Sequence, residues 1–194
     1  MKRGIHWFRR DLRLRDNLAL SSLSQQVDAF LPVFIIDPRF VSKTKGTLPR
    51  TSFLFDCLER LEKDLAQRGH RLLLRVGKPE DVIPELMRET RADFLSFGKG
   101  VTRFAMERDE LVQAAVKLQG AEVIECNDDT ILDVGQVATK KGDPFRVYTP
   151  FRNAWWERWN EEPVRPVARL RLPGPIPGYK KAQACVAQHR PPPN

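Results

Sequence analysis

The sequence is poor in cysteine, and none of its cysteines is placed to form a metal or redox site. Cys57, Cys126 and Cys185 are far apart, odd in number and outside any CxxC spacing. No apolar stretch approaches the roughly 18–20 residues that cross a bilayer. The opening residues MKRGIHWFRR lack the apolar core of a secretory signal. We therefore expect a cytoplasmic protein in a reducing compartment, with no membrane among its partners.

Motifs for phosphate binding and for nucleophilic catalysis are also missing. No GxGxxG follows a predicted strand, and neither GxxxxGK[ST] nor GxSxG occurs. His6, His70 and His189 have no partners at metal-ligand spacing, and we interpret His6 as a core residue. The sequence thus predicts no catalytic residue and no metal ligand, and its residue chemistry is typical of a binding domain.

The formal net charge of +8 is concentrated at the two ends of the chain. Residues 1–16 and residues 161–194 each hold six basic and two acidic residues, so the body between them is balanced. A DNA-binding domain usually carries its basic excess on the folded face that meets phosphate. The charge pattern therefore predicts that DNA is at most an indirect partner of this chain.

Short apolar runs alternate with longer amphipathic segments in the first 130 residues. The predicted strands are Ile5–Phe8, Ala29–Ile36, Arg71–Val76, Asp93–Phe97 and Ala121–Cys126. Helical patterns cover residues 52–69, 79–90 and 103–120, with Gly69 and Gly120 as C-terminal stops. Strands that are apolar throughout indicate a parallel α/β sheet covered by helices on both faces.

Open sheets of this kind bind ligands outside the carboxyl ends of their strands. The candidate binding residues at these ends are Phe8, Arg9, Arg10, Asp37, Gly98, Lys99 and Gly100. Two interpretations of the arginines in residues 9–15 remain open. They could form surface ion pairs with Asp11 and Asp16, or they could bind an acidic ligand or another domain. The glycines at 98 and 100 could form a plain turn or allow a ligand to approach closely.

Two further segments differ from the alternating pattern. Trp155, Trp156 and Trp159 share a short predicted helix, which could pack on the sheet or offer an aromatic platform for a base or chromophore. Eight of the 15 prolines lie between Pro163 and Pro193. Because proline fixes φ and removes a backbone donor, residues 161–194 are predicted to form an extended linker or tail.

Several of these segments together resemble the photolyase/cryptochrome family. WFRRDLRLRDNLAL resembles its N-terminal signature, VFIIDP the second strand and its exit, and PRTSFLFDCLERLEKDLAQRG its arginine-led helix. GKPEDVIPEL, ERD at 107–109 and GDPFRVYTPFRNAWW follow in the family's order, so the resemblance covers about residues 3–160.

The resemblance implies a Rossmann-like domain over residues 1–160, with five parallel strands in the order 3-2-1-4-5. It implies an antenna chromophore, which in this family is a folate, a deazaflavin or a flavin. It also implies a partner, a larger helical domain after the linker, which holds the catalytic FAD and is not part of this sequence. Light-dependent DNA repair (deoxyribodipyrimidine photo-lyase activity) or blue-light sensing is then expected only together with that domain. The alternative is a standalone photolyase-like binding or regulatory protein without repair activity.

The resemblance also singles out residues near the expected antenna pocket. Arg50 matches a family arginine there and is the best single binding candidate. Gly100 and Thr102 stand where acidic residues would serve a deazaflavin, and Phe104 and Ala105 where Asn-Glu would serve a folate. Both chromophores lose expected hydrogen-bond partners, so the resemblance leaves a flavin or an empty pocket as the expectation.

Overall fold

The computed structural model describes residues 1–40, 48–133, 135–161, 170–179, 186 and 190. Strands and helices alternate along most of the chain. The strands are β1 (Arg3–Phe8), β2 (Ala29–Ile36), β3 (Leu73–Val76), β4 (Phe94–Gly98), β5 (Glu122–Cys126) and β6 (Gly174–Pro175). The helices are α1 (Leu18–Ser24), α2 (Leu48–Ala66), α3 (Pro79–Thr90), α4 (Arg103–Lys117) and α5 (Tyr148–Glu161).

The strands form one parallel sheet in the order β3-β2-β1-β4-β5, with β6 added beside β2. All eight residues of β2 are buried, as expected for a strand covered on both faces. Successive side chains of a strand point to opposite faces, so Ile5 and Trp7 join the core under α3 and α4, whereas Phe8 joins the core under α1 and α2. The predicted fold class and strand order are confirmed.

The helix boundaries follow from capping residues that the sequence displays. Pro79 occupies the first turn of α3, where its missing N–H costs nothing. The Thr102 hydroxyl accepts a hydrogen bond from Ala105 N and caps α4. Gly69 and Gly120 follow α2 and α4 with φ of 77° and 78°, a conformation that favours glycine. Helix α1 was not predicted from the sequence, because its seven residues are too few to show a helical period.

The described part of the C-terminal segment packs on the sheet instead of leaving it. Gly174 and Pro175 pair with Ala29 and Phe30, at the start of β2, beyond the residues of β2 that pair with β3. Ile176 is buried in the core under α3 and α4. Its residues 170–179 thus contribute to the core, and the extended linker and the boundary at residue 160 stay predictions. None of the helices described is long and apolar enough to span a bilayer.

Candidate ligand-binding site

A cavity of about 380 Å³ opens at the carboxyl ends of β1, β2 and β4. The loops after these strands form its walls, and Pro79 of α3, Leu54 of α2 and the first turns of α4 complete them. Parallel strands end at the same edge of a sheet, which explains why residues distant in sequence meet here. The volume lies in the range of small-molecule sites, so the cavity is large enough for a planar cofactor ring.

Seven of the eight candidate residues from the sequence line this cavity: Phe8, Arg9, Arg10, Asp37, Gly98, Lys99 and Gly100. The eighth, Arg50, is exposed on α2 and is not among the lining residues. It lies one helical turn before Leu54, which does line the cavity. The fold thus brings seven of the eight candidates together around one cavity, and their role in binding a ligand stays a prediction.

One buried carboxylate holds two arginines on the wall of the cavity. Asp109 Oδ1 accepts hydrogen bonds from Arg9 Nη1 at 2.6 Å and from Arg108 Nε and Nη2 at 3.0 and 2.7 Å. Asp109 Oδ2 accepts a bond from the Gly100 N–H at 3.3 Å. Both guanidinium groups lie over the Trp7 ring, 4.7 and 4.9 Å from its centroid. The cluster therefore ties the exits of β1 and β4 to α4.

The wall of the cavity beside this cluster combines aromatic rings with a second charge cluster. Phe40 and Phe104 meet edge to face at 5.1 Å, and the Arg39 guanidinium lies 4.9 Å from the Phe104 centroid. Arg39 donates to both carboxylate oxygens of Asp37 and also pairs with Glu80 of α3 at 2.7 Å. These hydrogen bonds, first those that Arg39 donates to Asp37, raise the pKa of Arg39. Phe104 is 38% exposed, so part of its ring is accessible to a ligand in the cavity.

A buried polar network fixes the loop after β1. Asp11 accepts hydrogen bonds from the Arg9 backbone N–H at 2.9 Å and from Asn17 Nδ2 at 3.0 Å. His6, fully buried, bonds through Nδ1 to Ser96 Oγ at 2.7 Å, and its Nε2 lies 3.9 Å from Asp11 Oδ2. Burial lowers the pKa of His6 to about 4, although the charge of Asp11 opposes that shift. His6 is thus a neutral core residue, as interpreted from the sequence.

Two other arginines of this loop, Arg10 and Arg13, pair with acidic residues after β5. Arg10 lies 3.6 Å from Asp129 at the exposed mouth of the cavity. Arg13 lies 2.9 Å from Asp128 and also donates to the Asp16 carbonyl oxygen. Side-chain ion pairs with Asp11 and Asp16, the first interpretation of these arginines, do not describe this arrangement, and binding of an acidic ligand or another domain stays a prediction. The ion pairs cross between loops instead of forming within one, because the exits of β1 and β5 face each other across β4.

Thr102, Phe104 and Ala105, which the resemblance placed near the antenna pocket, do line the cavity. Other lining residues were not singled out as binding candidates, among them Phe40, Leu54, Arg108 and Asp129. The rule on strand exits would have found residues 40 and 129 had longer loops been included. No local pattern shows that Arg108 meets Arg9, which lies 99 residues earlier in the chain.

The tryptophan cluster of α5 lies outside the cavity. Trp155 stacks on Trp159 with ring centroids 5.6 Å apart and meets Trp156 edge to face. No residue of α5 whose side chain is described is buried. Packing on the sheet, the simpler of the two interpretations, is therefore wrong for this helix.

The described residues contain no group of three or more His, Cys, Asp or Glu side chains that could hold a metal ion. A parallel sheet whose carboxyl edge opens on an aromatic, charged cavity is the architecture of a ligand-binding α/β domain. The DNA photolyase family model matches residues 4–169. The chain belongs to the DNA photolyase family.

Sequence relatives include both photolyases and cryptochromes. The chain is 31% identical over 159 residues to a deoxyribodipyrimidine photo-lyase from Synechococcus sp., a match that covers 82% of this chain and 32% of that protein. It is 36% identical over 150 residues to cryptochrome-1 of Spalax judaei, over 77% of this chain and 26% of that protein. The chain matches the N-terminal part of these relatives and spans about a third of their length or less.

Solved structures agree with this assignment. A bacterial class III photolyase from Agrobacterium tumefaciens superposes with a TM-score of 0.80 at 27% identity, over 100% of this chain and 39% of that one. An archaeal photolyase from Sulfolobus tokodaii, described with two FAD molecules and a novel light-harvesting cofactor, superposes with a TM-score of 0.67 at 27% identity. That match covers 89% of this chain and 37% of the archaeal chain. The fold is that of the photolyase N-terminal α/β domain.

Proposed function

We propose that this chain is a chromophore-binding antenna module and that the cavity at the ends of β1, β2 and β4 holds the chromophore. The observation that carries the proposal is the meeting of seven candidate residues and an accessible Phe104 ring around one cavity of about 380 Å³. A planar ring would stack on Phe104 while its polar edge meets the charged groups after β1 and β2. The described residues offer no nucleophile with a paired base, which favours binding over catalysis.

A flavin fits this cavity better than a folate or a deazaflavin. Gly100, Thr102, Phe104 and Ala105, which stand where polar partners of those two chromophores are expected, all line the cavity. Apolar and small groups there leave space for a ring and supply no carboxylate to it. The Sulfolobus relative, described with two FAD molecules and the implication of a novel light-harvesting cofactor, supports a flavin.

The repair or signalling reaction requires a partner in this proposal. The relatives are longer than this chain, and in the family a helical domain holds the catalytic FAD. The chain would pass excitation energy to that FAD and meet DNA only through the helical domain. A cytoplasmic location is part of the proposal and is supported by the free thiols of Cys57 and Cys126.

The test is reconstitution of the purified chain with riboflavin, FMN, FAD and 5,10-methenyltetrahydrofolate, each followed by absorbance and fluorescence. We expect saturable binding of at least one flavin. Ala105→Trp, which fills the cavity, should abolish it. Ala114→Trp, on an exposed position of the same helix, is the control and should bind as the wild type does. If no chromophore binds, or if both variants bind equally well, the proposal is wrong.

A further inference from the structure

We infer that this chain pairs with a second copy of itself, and that the aromatic face of α5 in each copy packs on an exposed apolar face of α4 in the other. These two faces lie outside the cavity, so the pairing needs no chromophore. It goes beyond the proposed function, which assigns no role to α5 and names only a helical domain as partner.

The aromatic residues of α5 lie on one side of the helix. They are three or four residues apart, a spacing that places them on one face, here named the α5 stripe: Tyr148, Phe151, Trp155 and Trp159. No residue of α5 whose side chain is described is buried, and Tyr148 is 72% exposed. Because apolar surface left in water is unfavourable, a second surface that covers this stripe would stabilise the helix.

The residue types on this side of α5 are those of a protein–protein interface. Tyrosine, tryptophan, phenylalanine and arginine are enriched in interfaces, and tryptophan, tyrosine and arginine carry most of the measured binding energy. Arg152 follows Tyr148 by one helical turn and Arg158 follows Trp155 by one turn, so both arginines border the α5 stripe. The stripe therefore fits a protein partner.

Helix α4 carries a second exposed apolar face, here named the α4 stripe: Leu111, Ala114 and Leu118. Leu111 and Leu118 are two turns apart and are 59% and 89% exposed, whereas Val112 and Val116 turn the opposite side of the helix into the core. None of the three stripe residues lines the cavity. The small Ala114 between two leucines leaves a depression into which a large ring can pack.

The two stripes together offer enough surface for a stable dimer. A fully covered aromatic side chain buries roughly 150–250 Å², and the exposed parts of both stripes amount to on the order of 700 Å² in one copy. Two copies would then bury about 1,400 Å², within the range of about 1,200–2,000 Å² that specific interfaces bury. A second copy of this chain is therefore a sufficient occupant for both stripes.

Charge favours pairing of α5 with α4 over pairing of α5 with itself. If two α5 stripes met, Arg152 and Arg158 of one copy would face the same arginines of the other, and like charges in an interface are unfavourable. The charged residues around the α4 stripe are of both signs: Arg103, Glu107, Glu110 and Lys117. Glu107 pairs with Arg103, and Glu110 has no ion pair within the part of the chain that the structure describes. Glu110 is thus a carboxylate that an arginine of α5 can meet.

Each copy gives one stripe of either kind and receives the other, so two equal contacts related by a twofold axis close a dimer. Sedimentation velocity of the purified, chromophore-free chain from about 1 to 100 μM measures this association. We expect the mass to rise with concentration from 22.4 kDa toward twice that value. A monomer at every concentration would overturn the inference, and so would growth beyond the dimer, since the contacts would then form an open chain.

Substitutions on the two stripes test the surfaces separately. Phe151→Glu places a charge in the α5 stripe, and Leu111→Lys places one in the α4 stripe. Each should weaken association at least about tenfold, because a charge buried in an apolar interface loses its water. Phe53→Glu makes the same change as Phe151→Glu at a side chain of α2 that is 70% exposed, and should associate as the wild type does. Circular dichroism checks the fold of each variant.

A mixture of Phe151→Glu and Leu111→Lys tests whether α5 meets α4. In the mixed dimer, the unchanged α5 of one chain meets the unchanged α4 of the other, so one of the two contacts is intact. The mixture should therefore associate more tightly than either variant alone. If α5 pairs with α5, Leu111→Lys associates as the wild type does and mixing restores nothing, and that result would overturn the inference.

These outcomes are independent of the proposed function. A chain that binds a flavin and stays monomeric would overturn the dimer and leave the cavity a chromophore site. A chain that forms the dimer and binds no chromophore would reject the proposed function and leave the two stripes as an interface.

Discussion

The Nη1 atom of Arg9 lies 2.6 Å from Oδ1 of Asp109, although 100 residues separate the two in the chain. This contact joins the loop after β1 to α4, and Asp109 also holds Arg108 and the backbone of Gly100. The shape of the cavity at this wall thus depends on one buried carboxylate. Removing it leaves two buried positive charges without a counter-ion.

Asp109→Ala should lower the free energy of unfolding by about 3–5 kcal/mol, because it breaks a buried ion pair from one side. Glu107→Ala, an exposed position on the same helix paired with Arg103, should change it by less than about 1 kcal/mol. Urea denaturation measures both. Similar values for the two variants would show that Asp109 does not hold this wall together.

Gly100→Ala should destabilise the protein by about 1–3 kcal/mol and weaken chromophore binding. An added Cβ would lie 2.5 Å from Ala105 Cβ and 3.1 Å from Asp109 Oδ2, so the loop or α4 must move. Gly98→Ala is the matched comparison for stability, since its Cβ would lie 3.6 Å from Asp11 Oδ2, an ordinary contact. Thermal denaturation ranks the two. A larger loss for Gly98→Ala would contradict the packing described here.

His6 should make the protein less stable as the pH falls. The folded pKa is about 4 and the usual value is 6.5, so the unfolded chain binds a proton that the folded chain does not. The contribution of His6 to the free energy of unfolding is fully present above pH 6.5. It decreases by about 3 kcal/mol as the pH falls to about 4.

Urea denaturation across this pH range, on the wild type and on His6→Gln, isolates the contribution of His6, because the other titrating groups are the same in both. The difference between the two proteins should shrink as the pH falls. A difference that is constant with pH would contradict a buried, neutral His6.

Ile176→Ala should cost about 2–4 kcal/mol of unfolding free energy, because Ile176 is buried in the core although it lies in the proline-rich segment. Ile131→Ala, which removes the same atoms from an exposed side chain, should cost less than about 1 kcal/mol. Urea denaturation tests the pair. If both variants match the wild type, the segment does not pack on the sheet in solution.

Arg50→Ala should weaken retention of a flavin several-fold and leave the fold intact. Arg50 lies one turn from Leu54, at the edge of the cavity. Its charge therefore acts on the ligand from the rim of the cavity, and its side chain is not buried against the ligand. Arg60→Ala, an exposed arginine further along the same helix, is the control. Gel filtration of the loaded protein with absorbance detection measures retention. Unchanged retention in Arg50→Ala would remove Arg50 from the site.

Much of the fold could be predicted because β2 is apolar throughout and because Pro79, Gly69 and Gly120 mark helix ends in the sequence. The rule on strand exits placed seven candidates around one cavity. The contact between Arg9 and Asp109 could not be predicted, because it depends on which face of α4 points toward the loop after β1.

The remaining differences have similar causes. Prolines at 173, 175 and 177 interrupt the apolar residues of the proline-rich segment. Because proline is unfavourable in strands, the sequence did not indicate that this segment pairs with β2 and is partly buried. The three tryptophans of α5 suggested packing on the sheet, because large aromatic residues usually lie inside a protein. Trp156 is exposed and Trp155 and Trp159 are only partly buried, which is a feature of tertiary structure that no local pattern encodes.

The measurement that tests the central claim most directly is a crystal structure of the chain loaded with a flavin. The account predicts that the ring lies in the cavity at the ends of β1, β2 and β4, in contact with Phe104. A flavin bound elsewhere, for example on Trp155 and Trp159 of α5, with the cavity empty, would contradict it.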